Sequence, residues 1–193
     1  MGEIFAIVIS CLLVSNVILS SFLGICPFLG ISKKPSNAVG MGMALVFVVV
    51  CSAAICYCIE RFILQPLGLD YLQLIVFILV IASFVQLVEF FMKKYMKGLY
   101  KALGIYLPLI TTNCVVLGVA TNATDFGYSF VQTIVYALSI SIGYTLVITL
   151  FSAIRVRLDS NDALPAPFKG NPIALITAAL MALAFLGFAG ILQ

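Results

Sequence analysis

The stretch Leu109-Ile110-Thr111-Thr112-Asn113-Cys114 resembles Leu12-Leu13-Val14-Ser15-Asn16-Val17, and the offset of 97 residues is almost half of this 193-residue chain. In each copy a polar pair ending in asparagine interrupts an apolar run. A match this short also arises by chance between apolar segments, so its weight depends on the topology around it. That topology follows from composition. The chain is 64% hydrophobic and only 9% charged, with a mean hydropathy of +1.25, whereas soluble domains carry charge on roughly a quarter of their residues. About 20 apolar residues cross a bilayer core. Runs of that order extend from Ile4 to Leu23, Ala38 to Ile59, Tyr71 to Phe91, Ile105 to Thr121, Ser129 to Ser152 and Pro172 to Leu192. They are apolar all round and do not alternate, so they predict six transmembrane helices and no β-barrel. Glu3 precedes the first run, and neither a basic flank nor a small-residue cleavage pattern accompanies it, so it reads as a retained helix.

Threading the chain through six spans puts Lys33, Lys34, Lys93, Lys94, Lys97, Lys101, Arg155, Arg157 and Lys169 on one side and Arg61 alone on the other. The positive-inside bias makes the crowded side cytoplasmic and leaves both termini outside. Three spans is an odd number, so the second half enters the membrane from the opposite face. The expected fold is an all-α integral membrane protein, a single transmembrane domain of two inverted three-helix repeats, approximately 1–96 and 97–193. In such folds the first helix of each half is often interrupted near the midplane. Ser20, Ser21, Gly24, Pro27 and Gly30 mark the first, and Pro108 with Thr111, Thr112 and Asn113 the second. An ordinary loop after the first span and a proline in the first turn of the fourth fit the same residues.

The absence of histidine removes bis-histidine haem, histidine-based zinc chemistry and nucleophile triads that need an imidazole. A net charge of +3 from scattered residues gives no nucleic-acid footprint. No Rossmann fingerprint occurs, so neither nicotinamide nor flavin binding is expected of this chain. No side chain is assigned a catalytic role. Glu60 and Glu89 lie towards span ends, where solvation or lysine pairing is expected, and Asn16 and Asn113 are expected to hydrogen-bond across helices. The six cysteines form no CxxC pair. Cys11, Cys51, Cys56 and Cys58 sit in uniform apolar surroundings and behave as small apolar residues. Cys26 and Cys114 lie among helix-breaking or backbone-satisfying residues, in GICPFLG at 24–30 and LPLITTNCVVLG at 107–118. The residues alone leave both free thiols, the commoner state, and metal ligation open.

FLGICPFLGISKK at 22–34, GMGMAL at 40–45, LGIYLPLITTNCVVLGVA at 103–120 and LPAPFKGNPIALITAALMALAF at 164–185 resemble the RnfA family, the A-type subunits of the Rnf complex, essentially end to end. That complex is the bacterial ion-translocating ferredoxin:NAD+ oxidoreductase, and the superfamily includes NqrD and NqrE of the sodium-translocating NADH:quinone reductase. CPF at 26–28, ITTNC at 110–114 and APFKGN at 166–171 favour the Rnf branch over an NqrE-type subunit. The resemblance implies that Cys26 and Cys114 supply two of four thiolates to a 2Fe-2S cluster shared with the paralogous Rnf subunit, RnfE. It further implies partnership with the Rnf subunits B, C, D and G in the inner membrane, and electron transfer coupled to Na+ or H+ transport. A non-redox inverted-repeat transporter and a structural scaffold are the competing readings. One departure is Arg155-Val156-Arg157, where the family commonly has a glutamate between the arginines; the position falls in an expected cytoplasmic loop. Internal symmetry does not predict the cluster, since Cys114 follows Asn113 directly whereas Cys26 lies ten residues after Asn16. Cys114 would sit ~13 Å deep at helical rise. To meet it, Cys26 needs the chain around Pro27 to fold back inward.

Overall fold

In the computed structural model, residues 7, 8, 10–14, 16–32, 34–95, 113–160, 165 and 168–189 are described, and among them the regular structure is entirely helical. The N-terminal region is broken into short pieces. A π-helical segment, Ser10–Val14, is followed by α1 (Val17–Ser21), a left-handed turn, and α2 (Ile25–Ile31). Then come the long elements. α3 starts at Pro35, whose missing N–H costs nothing in a first turn. It runs as an α-helix to Ile59, widens to a π-helical turn over Glu60–Leu64, and ends at Gln65–Leu67. Pro66 has no N–H to return to the turn before it, and Gly68 closes the helix in the left-handed region at φ 62°. α4 spans Gln73–Tyr95, α5 Cys114–Asp125, α6 Phe130–Asp159 and α7 Asn171–Ala189. Ser129 and Gln132 form a capping box that starts α6.

α3, α4 and α6 are long and apolar enough to cross a membrane, and α7 is a shorter apolar helix. They match the second, third, fifth and sixth apolar runs of the sequence. The first run is discontinuous, and the first half of the fourth, residues 105–112, lies outside the described residues.

The core is the seam between α3 and α6. Thr133, Tyr136, Ala137, Ile140, Ser141, Tyr144, Val147, Ile148, Phe151, Ser152 and Arg155 are buried at spacings of three and four, one continuous face of α6. Lipid offers apolar side chains no hydrophobic gain from packing on one another, so helices associate there through close backbone approach and hydrogen bonds. Gly42 provides the approach, because a Cβ there would overlap Thr145 Cγ2. Leu74, Ile75, Leu79, Leu87 and Phe90 of α4 remain exposed, as expected of a surface facing lipid or a partner protein.

α6 continues to Asp159, beyond the Ser152 limit expected for the fifth span, and Arg155 is therefore a helical residue and not part of a loop. It is 2% exposed, whereas its neighbour Val156 is 44% exposed on another face. A helix turns by about 100° per residue, so residue 156 projects from a different face of α6 than Arg155.

Candidate functional site

The two asparagines of the repeated stretch do the same job. Asn16 has φ −66° and ψ 118°, and Asn113 has φ −75° and ψ 114°; both are extended residues that start a helix. Asn16 Oδ1 accepts from Ile18 N at 3.3 Å, and Asn113 Oδ1 accepts from Val115 N at 3.2 Å. Each side chain thus satisfies a first-turn N–H that has no partner within its helix. The expectation of hydrogen bonds across helices is corrected here: a short amide following the break reaches its own helix first. Both residues are nearly fully buried, and in both Nδ2 has no partner among the described residues.

Between Asn16 and Cys26 the chain reverses. Phe22 caps the end of α1 with φ 54°, and Gly24 follows at φ 81°. The reversal therefore lies at 22–24, upstream of the expected Pro27. Pro27 sits inside the first turn of α2, where its lack of an N–H is harmless because the first backbone bond of that helix comes from Phe28 N to Gly24 O at 3.3 Å. Glycine at 24 is required on two counts, its positive φ and its space. A Cβ would lie 2.7 Å from Val115 Cγ2, 2.9 Å from Tyr144 Cε2 and 3.1 Å from Asn113 Oδ1. Beside it Leu23 fills the space over Gly118, where a Cβ would come within 2.6 Å of Leu23 Cδ2.

The consequence is that the segments carrying the two predicted cysteines pack against each other. Cys114 is the first residue of α5, flanked by the two residues that Gly24 touches, and Cys26 is the second residue of α2, two positions beyond Gly24. Tyr144, at the middle of α6, donates its hydroxyl to Gly24 O at 3.3 Å and lies within electrostatic range of both thiols. Both cysteines are exposed, while Cys11 and Cys56 are buried. Among the described residues no three cysteine or carboxylate side chains gather in one place. Two exposed sulfurs are half of the four thiolates that a 2Fe-2S cluster takes.

Of the remaining polar groups, Glu60 accepts from Thr124 Oγ1 at 2.7 Å, which ties the π-helical turn of α3 to the end of α5. It borders a cavity of about 200 Å³ shared with Arg61, Gln65 and Tyr128. A hydroxyl therefore meets this carboxylate, where solvent or lysine was expected. Glu89 is half-buried near the end of α4. A larger cavity of about 480 Å³ lies beside α1, with Ser10, Ser20, Ser21, Asn122 and Tyr136 in its lining. The residue that sequence reasoning missed is Arg155. Its Nη1 donates to Leu29 O at 2.6 Å and to Ser32 Oγ at 2.7 Å, at the end of α2. Counting it among cytoplasmic charges gave no sign of this.

The model of the family described as "Rnf-Nqr subunit, membrane protein" matches residues 4–192. This chain belongs to the Rnf-Nqr family. It is a multi-pass membrane protein, as that family and its long apolar helices require. The chain is 55% identical over 184 residues to the A subunit of the Na+-translocating ferredoxin:NAD+ oxidoreductase complex of Acetobacterium woodii, covering 95% of both chains. It is 51% identical to the A subunit of the ion-translocating oxidoreductase complex of Syntrophotalea carbinolica, over 99% of this chain and 98% of that one. The protein of the same name from Serratia proteamaculans is 51% identical over the full length of both chains. Rnf-Nqr membership and these relatives agree with the resemblance carried by the motifs at 22–34 and 103–120.

Proposed function

We propose that this chain is the RnfA-type subunit of an ion-translocating ferredoxin:NAD+ oxidoreductase of the bacterial inner membrane, and that Cys26 and Cys114 hold one side of a 2Fe-2S cluster. The paralogous RnfE supplies the other two thiolates, and the Rnf subunits B, C, D and G complete the assembly. When bound, the cluster supplies a one-electron centre inside a membrane core about 30 Å thick. The observation that carries this reading is the packing of Gly24, two residues before Cys26, against Asn113 and Val115, which flank Cys114, with both thiols exposed and neither part of a larger ligand group among the described residues.

The chain's own residues then have defined tasks. The reversal at Phe22–Gly24 presents Cys26, and the cap at Asn113 fixes the start of α5 and with it Cys114. The Tyr144 hydroxyl holds the Gly24 carbonyl. The matching caps at Asn16 and Asn113 support an inverted repeat of residues 1–96 and 97–193, six spans in all, with both termini outside the cytoplasm. Added negative charge in a medium of low dielectric favours the approach of a compensating cation, and this is the physical root of coupling to Na+ or H+ movement. Nicotinamide and flavin binding belong to other members of the complex.

The test is iron content and EPR of the chain co-expressed with its paralogue, alongside ferredoxin:NAD+ turnover of the assembled complex. Cys26→Ser and Cys114→Ser are each expected to abolish a 2Fe-2S signal and turnover together. Retention of both in the two variants would contradict the proposal and leave a scaffold or a non-redox transporter.

A further inference from the structure

α6 grips the Cys26 segment at both ends. At the near end Tyr144 donates to Gly24 O, immediately before α2. Eleven residues along the same helix, Arg155 Nη1 donates to Leu29 O and Ser32 Oγ, while Ser152 Oγ donates to Ser32 O at 2.8 Å. Arg155 Nη2 reaches Asn171 Oδ1 at 3.2 Å, which brings in the start of α7. The carbonyl end of a helix attracts a cation, so the position is favourable. The choice of residue is still costly. A guanidinium keeps its charge in proteins, Arg155 is 2% exposed, and its hydrogen-bond acceptors here are neutral oxygens, with Nε left unpartnered among the described residues. Serine or glutamine could cap a helix end without burying a charge. Leu29 is three residues beyond Cys26, about 4.5 Å along the helix axis. The guanidinium thus sits at the far end of the seven-residue helix that carries Cys26, with little solvent around it to screen its charge.

We propose that Arg155 is a positioning residue for Cys26 and, through its buried charge, a determinant of how readily the centre held by Cys26 accepts an electron. This rests on the ligand role proposed above for Cys26. The geometry separates the inference from simple capping, because a cap needs only donors, whereas a bias on reduction needs the charge itself.

The experiment is a potentiometric EPR titration of the complex co-expressed with its paralogue, comparing wild type with Arg155→Gln, Arg155→Lys and Ser32→Asp. Removing the charge in Arg155→Gln is expected to lower the midpoint potential, equivalent to about a tenfold smaller equilibrium constant for reduction. Ser32→Asp keeps Arg155 in place but neutralises it and is expected to shift the potential the same way, so the test survives if Arg155→Gln fails to assemble. Arg155→Lys retains the charge and should restore a potential near that of wild type. A wild-type potential in Arg155→Gln or Ser32→Asp, with the cluster signal intact, would overturn this inference alone. Absence of the signal from the wild-type complex would instead overturn the ligand reading beneath it, and this inference with it.

Discussion

Asn16 and Asn113 open two helices with closely similar dihedral angles, the same Oδ1 bond to the N–H two residues on, and the same buried Nδ2, unpartnered among the described residues. Downstream of them the two copies part. After Asn113 the helix continues for 12 residues, and its first residue is Cys114. After Asn16 the helix lasts five residues, the chain turns through Phe22 and Gly24, and Cys26 arrives in the next helix. The turn that follows Asn16 thus has no counterpart after Asn113. That turn places Gly24, two residues before Cys26, against Asn113 and Val115, which flank Cys114.

The largest effect expected from this contrast concerns position 17, the counterpart of Cys114. If ligation depends on that turn and not on the shared cap, the double variant Val17→Cys/Cys114→Ser should still lack the cluster signal in EPR of the co-expressed pair, a loss of at least about tenfold. Restoration of the signal would show the two caps to be interchangeable. Next comes Gly24→Ala, which places a Cβ within 3.1 Å of Val115, Tyr144 and Asn113 at a φ of 81°. Left-handed strain and overpacking together should cost about 2–4 kcal/mol, read as a lower melting temperature of the purified complex with reduced iron content.

Smaller effects belong to the caps. Asn16→Ala and Asn113→Ala should each cost about 1–2 kcal/mol, the worth of an N-cap, while serine at either position recovers most of it. Because Nδ2 has no partner among the described residues in either copy, its loss in the serine variants adds no penalty. A melting series in which alanine is harmful in one half and silent in the other would break the equivalence of the caps. The smallest effect is expected at Thr121, the counterpart of Gly24. It lies inside the uninterrupted α5, with its hydroxyl bonded back to Leu117 O at 3.1 Å, and Thr121→Ala should change the melting temperature by an amount equivalent to about 0.5 kcal/mol or less.

How far the sequence disclosed this arrangement depends on the kind of signal. The long helices were legible because the apolar runs at 38–59, 71–91 and 129–152 follow from the energetics of lipid alone. The breaks were legible in outline, since asparagine and glycine stand out in such runs, but their details were not. Asn16 and Asn113 carry a helix-start signature that competes, in an apolar span, with the habit of amides bonding across helices. Proline drew attention to residue 27, yet a first helical turn tolerates it, and the reversal uses a left-handed Phe22 that no propensity would suggest. Arg155 was opaque for another reason. Two of its acceptors, a carbonyl at Leu29 and a hydroxyl at Ser32, lie more than 120 residues away, and a carbonyl has no residue identity to read.

The proposal that Cys26 and Cys114 share one iron centre is the claim from which the rest derives, and a high-resolution map of the intact assembly tests it without intermediaries. Continuous metal density is expected to join Cys26 Sγ and Cys114 Sγ to two sulfurs of the neighbouring paralogue. Well-ordered side chains with those two sulfurs apart and no metal between them would contradict it.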